Sequence, residues 1–421
     1  MTGHDARSDS VTRPDRRSAS VTPTAEHPVH IGLVVSTLAM GGTERAVTTL
    51  ANYWVGRGHE VSVFTLSGSA ADFYPLDAAV ERHVLGLDFA SNGLLHAVWG
   101  NLRRMWRLRR ALRAAKPGVV VSFLTDVNVL TLLAARGLSV PVLVAERTDP
   151  RRHVLPASWV RLRRLLYPWA DRVIVQTQAI AAWAATVADE SRIVVIPNAV
   201  RGGRAEAAVG CGPVRQATVA AMGRLAWAKG FDVLLRAFAA CAARHPAWNL
   251  ILIGDGEERD RLGELARTLA IDDRVLMVGR VTRPEEILAQ AGIFVLPSRY
   301  EGFPNALLEA MACGTPAIAT EYAAGFESVV RHEVDGLLVP VDDVEALAAA
   351  LGRLMGDAHL RARLGRRASE VIERFSFEKI MAEWDRVLDS VVAATQGLDF
   401  HFDVVGSSNP DASSRRKGQR V

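Results

Sequence analysis

Glu301 and Glu309 stand eight residues apart in SRYEGFPNALLEAMACGTP (298–316). A carboxylate accepts hydrogen bonds from two vicinal hydroxyls at once, which is the chemistry of ribose and sugar recognition. Upstream, GRLAWAKGFDVLLRAF (223–238) carries Gly223, Arg224 and the pair Lys229-Gly230. Lysine occupies only positions 116, 229, 379 and 417, so one placed beside glycines stands out. Two fixed cations with open backbone amides in a strand-to-helix connection can hold a diphosphate. Near the start of the chain, Gly41-Gly42 precede Thr43 and Glu44 in LAMGGTERAVTTLA. An ordinary tight turn uses the same glycines, but a backbone without Cβ also lets a ligand approach a helix start. Two carboxylates and two cations on adjacent connections suit a ligand with hydroxyls at both ends and phosphates between, which describes a nucleotide-sugar.

These connections need strands to hold them. Short apolar runs at 30–37, 60–66, 119–124, 142–147, 172–177 and 192–198 alternate with longer helical patterns. The series restarts at 218–225 and continues at 249–256, 275–281, 293–298, 315–320 and 336–340. Continuous apolar runs are strands buried on both faces, and strands alternating with helices give parallel sheets. The expected fold class is α/β, with two doubly wound Rossmann-like domains and a cleft between them. Residues 1–28 and 397–421 are polar and without periodicity, so flexible tails are expected there. Residues 29–200 are expected to form the N-terminal acceptor domain, completed by a C-terminal helix at about 376–395. Residues 201–375 are expected to form the nucleotide-sugar domain, with the joint at 198–216.

Composition limits the alternatives. At 421 residues with 49% hydrophobic and 23% charged, the chain is a core-forming protein of two or three domains rather than a disordered or multi-span one. Three widely spaced cysteines build neither a disulfide framework nor a metal knuckle, which favours a reducing cytoplasmic setting. A dinucleotide-dependent oxidoreductase would need GxGxxG after a strand, and that pattern is absent. No Asp-x-Asp pair occurs either, so a metal-held diphosphate is not expected, and no cofactor is called for.

The chain resembles glycosyltransferase family 4, the retaining transferases of GT-B fold, over residues 29–395. The resemblance rests on MGGTERA (40–46), GRLxxxKG (223–230), GDGEERDRL (254–262) and the Glu-x7-Glu of YEGFPNALLEAMACGTP. It implies that Arg224 and Lys229 bind the donor diphosphate, that Glu309 binds the ribose hydroxyls, and that Glu301 with the Gly302 and Phe303 amides binds the donor sugar. It also implies that Gly223, Gly254 and Gly279 border the donor, that VLMVGRV (275–281) holds the base through backbone groups, and that Gly41-Gly42 face the phosphates. Arg224, Lys229 and Glu301 are the expected catalytic residues, and no metal ligands are expected. Many members carry a His after the fourth strand, where this chain reads VVVSFLTDVNVL (119–130) without one. The following VLVAERTDP (142–150) resembles the branch that elongates lipid-linked glycans. That leaves Asp126, Asn128, Glu146 and Arg147 as acceptor-side candidates, although Asp126 and Asn128 would serve equally as caps of the next helix. The implied reaction moves a hexose or N-acetylhexosamine from a nucleotide-diphosphate sugar, with UDP favoured, to a glycan or lipid-linked acceptor without a metal. A non-enzymatic nucleotide- or sugar-binding protein is the alternative.

Charge divides unevenly. Residues 1–198 hold 23 Lys and Arg against 16 Asp and Glu, whereas the whole chain holds 50 against 46. In WGNLRRMWRLRRALRAAKP (99–117), helical spacing puts Arg103, Arg104, Arg107 and Arg110 on one arc, bordered by Trp99 and Trp106. Leu102, Met105, Leu108, Leu112 and Ala115 fall on the opposite arc, expected to face the core. A second cluster joins Arg151, Arg152, Arg161, Arg163 and Arg164 to Trp159, Tyr167 and Trp169. Together they predict a cytoplasmic protein that touches the anionic inner face of a membrane and binds no nucleic acid.

Overall fold

The computed structural model describes residues 28–68, 72–87, 94–152, 155–200, 216–322, 326 and 329–395. The tails predicted before residue 28 and from 397 onward, and nearly all of the predicted joint, lie outside the described residues.

The first sheet has seven parallel strands, β1 (His30–Val35), β2 (Glu60–Thr65), β3 (Glu81–Val84), β4 (Val119–Phe123), β5 (Val142–Ala145), β6 (Arg172–Val175) and β7 (Ile193–Val195), in the order β3-β2-β1-β4-β5-β6-β7. The second has six, β8 (Gln216–Met222), β9 (Asn249–Ile253), β10 (Val275–Gly279), β11 (Ala291–Leu296), β12 (Ala317–Thr320) and β13 (Gly336–Val339), in the order β10-β9-β8-β11-β12-β13. Central strands such as β4 and β11 are buried along their whole length, because helices cover both faces of each sheet. Strand β3 is an edge strand that the apolar pattern does not announce. Its ERHV sequence is half exposed, and it is held by His83 stacked on Phe64 at 4.6 Å and by Arg82 bonded to Asp72.

Strand order reverses between β1 and β4 in one sheet and between β8 and β11 in the other. In such sheets the crevice beyond the carboxyl ends at the reversal is where a ligand fits. The connections leaving β1, β4, β8 and β11 carry Gly41-Gly42, Asp126, Lys229 and Glu301, respectively.

The final helix, Phe377–Thr395, packs on the N-terminal core through Ile380, Met381, Trp384, Val387, Leu388 and Val391. Trp384 meets Trp54 edge to face at 6.0 Å, and Asp385 accepts from Tyr53 Oη at 2.7 Å and Trp54 Nε1 at 3.0 Å.

The arginine-rich helix, Leu94–Ala115, is turned differently from the expected division. Leu108 and Leu112 are buried, but Leu102 is 48% exposed and not part of the core. Arg104 and Arg107 bend inward instead, donating to the carbonyls of Leu87 and Leu85. The outward face carries Trp99, Leu102 and Trp106 with Arg103 and Arg110. In the second cluster, Arg163 and Tyr167 are interior, because Arg163 stacks on Trp183 and the Tyr167 hydroxyl bonds to Glu146. That cluster's other four arginines are exposed, but Arg151 pairs with Asp149 and Arg152 donates to the Arg299 carbonyl, whereas Arg161 and Arg164 lie on the Ala157–Leu166 helix.

Candidate active site

On the C-terminal side, the turn after β8 is fixed by backbone contacts. Gly223 N donates to Ile253 O at 2.9 Å, and Gly254 N donates to Gly279 O at 2.8 Å. Gly254 has φ of +135°, and a Cβ there would lie 1.9 Å from Gly223 O, so only glycine lets these loops meet. Arg224 is exposed at the mouth of this turn. Lys229 closes the short helical turn Trp227–Lys229, and Gly230, in the left-handed region, starts the Phe231–Ala242 helix.

Lys229 Nζ donates to both oxygens of Glu301, at 2.5 and 2.6 Å, and Ser298 Oγ donates to Oε1 at 2.7 Å. The pair keeps part of its surface accessible, with the Lys229 side chain 25% exposed and that of Glu301 11%. Gly302 touches the other domain: a Cβ there would stand 2.2 Å from the Arg147 carbonyl oxygen. Phe303 is buried and meets Phe375 edge to face at 5.7 Å, which anchors its backbone beside Gly302. Glu309, in the Asn305–Ala312 helix, is paired with Arg45 of the N-terminal domain. Burial pushes the Glu309 carboxyl above the usual range, and Arg45 opposes the shift.

The contact between domains leaves two hollows. A cleft is lined by Gly42, Arg45, Arg147, Asn198, Asn305 and Glu309, among others. Asn198 Nδ2 donates to Asn305 Oδ1 at 2.7 Å across it. A smaller hollow lies beside Glu301, Gly302 and Tyr322, with Asp149, Arg151 and Thr177 also lining it. Among the described residues no cluster of His, Cys, Asp and Glu is arranged to hold a metal ion.

The four acceptor-side candidates separate. Asn128 is wholly enclosed, accepting from Ser122 Oγ at 2.8 Å and donating to the Tyr167 hydroxyl at 3.0 Å and the Ala145 carbonyl at 3.2 Å. Glu146 is equally buried, accepting from Thr125 Oγ1 at 2.8 Å and from Tyr167. Burial drives its carboxyl above the ordinary range, against the two hydroxyl donors and Arg163. These two residues hold each other's neighbourhood together and do not reach the cleft. Asp126 is exposed on the first turn of the Thr125–Ala135 helix, and neither it nor Asn128 caps that helix. Arg147 lines the larger cleft, lies 5.7 Å over the Phe123 ring, and is lowered to about 10 by burial.

Sequence spacing did not single out Arg45, Asn198, Asn305, Asp149 or Arg151 as site residues. Arg45 and Asp149 lie inside motifs read for other residues, MGGTERA and VLVAERTDP, and only the meeting of the two domains shows what they face.

Residues 41–199 match the family described as "Glycosyl transferase 4-like domain" and residues 212–371 match "Glycosyl transferases group 1". An exopolysaccharide phosphotransferase of Streptomyces coelicolor is 30% identical over 383 residues, 84% of this chain but 40% of that protein. The GalNAc-α-(1→4)-GalNAc-α-(1→3)-diNAcBac-PP-undecaprenol α-1,4-N-acetyl-D-galactosaminyltransferase of Campylobacter jejuni is 28% identical over 363 residues, 86% of this chain and 98% of that one. Among solved structures, Anabaena HepE in complex with UDP and glucose superposes with a TM-score of 0.71 at 20% identity, covering 86% of this chain and all of that one. The fold is GT-B. Each domain thus matches a glycosyltransferase family model, and the chain is a glycosyltransferase.

Proposed function

We propose that the protein is a retaining glycosyltransferase that moves a hexose or N-acetylhexosamine from a nucleotide-diphosphate sugar, with UDP as the favoured nucleotide, to a hydroxyl of a lipid-linked glycan. The observation that carries this reading is the pairing of Lys229 with Glu301, a residue lining the smaller hollow between the domains. It puts a cation for phosphate and a carboxylate for sugar hydroxyls within one ligand's reach.

Arg224 and Lys229 stabilise the leaving nucleoside diphosphate as negative charge develops on it, in place of a metal ion. Glu301 and the amides at Gly302 and Phe303 position the donor sugar, and Glu309 takes the ribose. The acceptor oxygen attacks the anomeric carbon from the face that the diphosphate leaves. The carbon–oxygen bond to phosphate breaks, and the acceptor's proton passes to the departing phosphate oxygen. Configuration is thereby retained without a protein nucleophile. No cofactor takes part.

The acceptor's lipid would bring the enzyme to the membrane from the cytoplasmic side. Supporting this, Trp99 is 74% exposed and Trp106 58%, flanked by Arg103 and Arg110, which suits an interface of apolar and anionic groups. No described helix is long and apolar enough to cross a membrane.

Thermal shift with UDP-, GDP- and ADP-sugars, followed by an assay for nucleotide release with and without EDTA, tests the donor and the metal independence. A raised melting temperature with one nucleotide and EDTA-insensitive release are expected. Binding without transfer or hydrolysis against any lipid-pyrophosphate glycan would instead favour a binding protein. Co-sedimentation with anionic vesicles at low salt tests the surface, and a Trp106→Ala variant that sediments as the wild type does would remove it from the reading.

A further inference from the structure

Glu309 is already occupied. Its carboxylate is bonded to Arg45, which projects from the first turn of the Gly42–Gly56 helix in the opposite domain. If Glu309 binds ribose, as in the proposed reaction, two vicinal hydroxyls engage both of its oxygens and compete with the guanidinium for the Oε1 it holds. A displaced cation in a half-enclosed cleft is costly unless another anion takes it.

The surroundings narrow which anion that is. The groups facing Arg45 besides Glu309 are Glu44, Tyr74 and, further off, Glu285 acting on Glu309. Glu44 is folded back on the turn, since a Cβ on Gly41 would lie 2.1 Å from Glu44 Oε2. Burial raises both Glu44 and Tyr74 above their ordinary ranges. Arg45 sits where the Gly42–Gly56 helix begins, with its amide bonded to the Gly41 carbonyl at 3.0 Å, so the helix start and the guanidinium point the same positive potential at the cleft.

We propose that donor binding transfers Arg45 from Glu309 to the donor's diphosphate, making it a third cation of that site supplied by the N-terminal domain. This inference rests on the nucleotide-sugar reading. It makes the Arg45–Glu309 pair a placeholder: it neutralises the carboxylate and joins the two domains, and it is traded for a ligand that bridges them. Arg45 would then discriminate a nucleoside diphosphate from a nucleoside, because the nucleoside must break the pair and offers the guanidinium nothing in return.

Calorimetry on the full chain tests this with UDP, GDP and ADP and their nucleosides, comparing wild type, Arg45→Ala, Arg45→Lys and Glu309→Gln. For the diphosphate that binds wild type, Arg45→Ala is expected to weaken binding about tenfold while its nucleoside binds as well or more tightly, and Arg45→Lys to fall between. Glu309→Gln is expected to weaken the nucleoside and so widen the preference for diphosphate. If Arg45→Ala shifts diphosphate and nucleoside alike, or neither, the transfer is wrong and the donor reading stands. If no diphosphate binds wild type, the donor reading itself fails, and the inference with it. Melting temperatures of the variants identify any loss due to unfolding, and for such a variant Arg45→Lys supplies the comparison.

Discussion

The Lys229–Glu301 pair of the C-terminal domain and the Glu146, Thr125 and Tyr167 group of the N-terminal domain use similar residue types just beyond the ends of parallel strands, with opposite outcomes. Lys229 and Glu301 both keep accessible surface, and Glu301 lines the smaller hollow, so a ligand can compete for either partner. Glu146 and Asn128 have none, and Ser122, Thr125, Tyr167 and the Ala145 carbonyl fill their bonding capacity except for one Glu146 oxygen. A displaceable pair binds ligands. A sealed network specifies a fold. The difference lies in the segment after each strand: a glycine-containing loop leaves Glu301 partly accessible, whereas Asn128, buried within the Thr125–Ala135 helix, and Glu146 both bond the buried Tyr167 hydroxyl.

Substitutions can break that contrast. The largest effect is expected from Lys229→Ala, which removes charge stabilisation felt mainly in the transition state and should cut turnover about a hundredfold, ~3 kcal/mol. Steady-state kinetics with an intact melting curve is the check, and unchanged turnover would cancel the role. Next, Asn128→Ala orphans the groups it bonds and should lower stability by about 2 kcal/mol, read by denaturant unfolding, while donor affinity is unmoved. A lost donor affinity without lost stability would put Asn128 in the site after all. Glu309→Ala is expected to weaken donor binding about tenfold, a hydrogen-bonded charge's worth, with little change in turnover at saturation; calorimetry measures it, and an unaltered dissociation constant counts against the ribose role.

The smallest effect concerns pH. Burial holds the Glu146 carboxyl above its unfolded value, so the folded state retains that proton to higher pH. The stability tied to the proton is full below the ordinary glutamate range and is lost as pH rises through the folded value. Glu146→Gln should therefore melt with the wild type in acid and above it at neutral pH. A variant that melts lower at neutral pH would mean that Arg163 and the hydroxyls more than compensate the buried charge.

The same division between local and distant neighbours governs how far the chain could be read. Strands buried on both faces were legible, because continuous apolar runs leave no alternative but a covered parallel sheet. Strand β3 was not, since an edge strand needs no apolar period, and ERHV is held by stacking and by Asp72. Helical spacing located the face containing Leu108 and Leu112 but put Leu102 on it, because spacing counts turns and cannot know where the Leu85 and Leu87 carbonyls will draw Arg107 and Arg104 inward.

By itself the sequence determined two parallel α/β domains and the local motifs after β1, β8 and β11, because both depend on neighbours within a few residues along the chain. Only the tertiary structure decided that Arg45 neutralises Glu309, that Gly302 lies against Arg147, and that Glu146 is sealed while Asp149 and Arg151 face Glu301. These contacts join groups that are distant in the chain. Their worth is set by desolvation and distance, which exist only once the two domains have met.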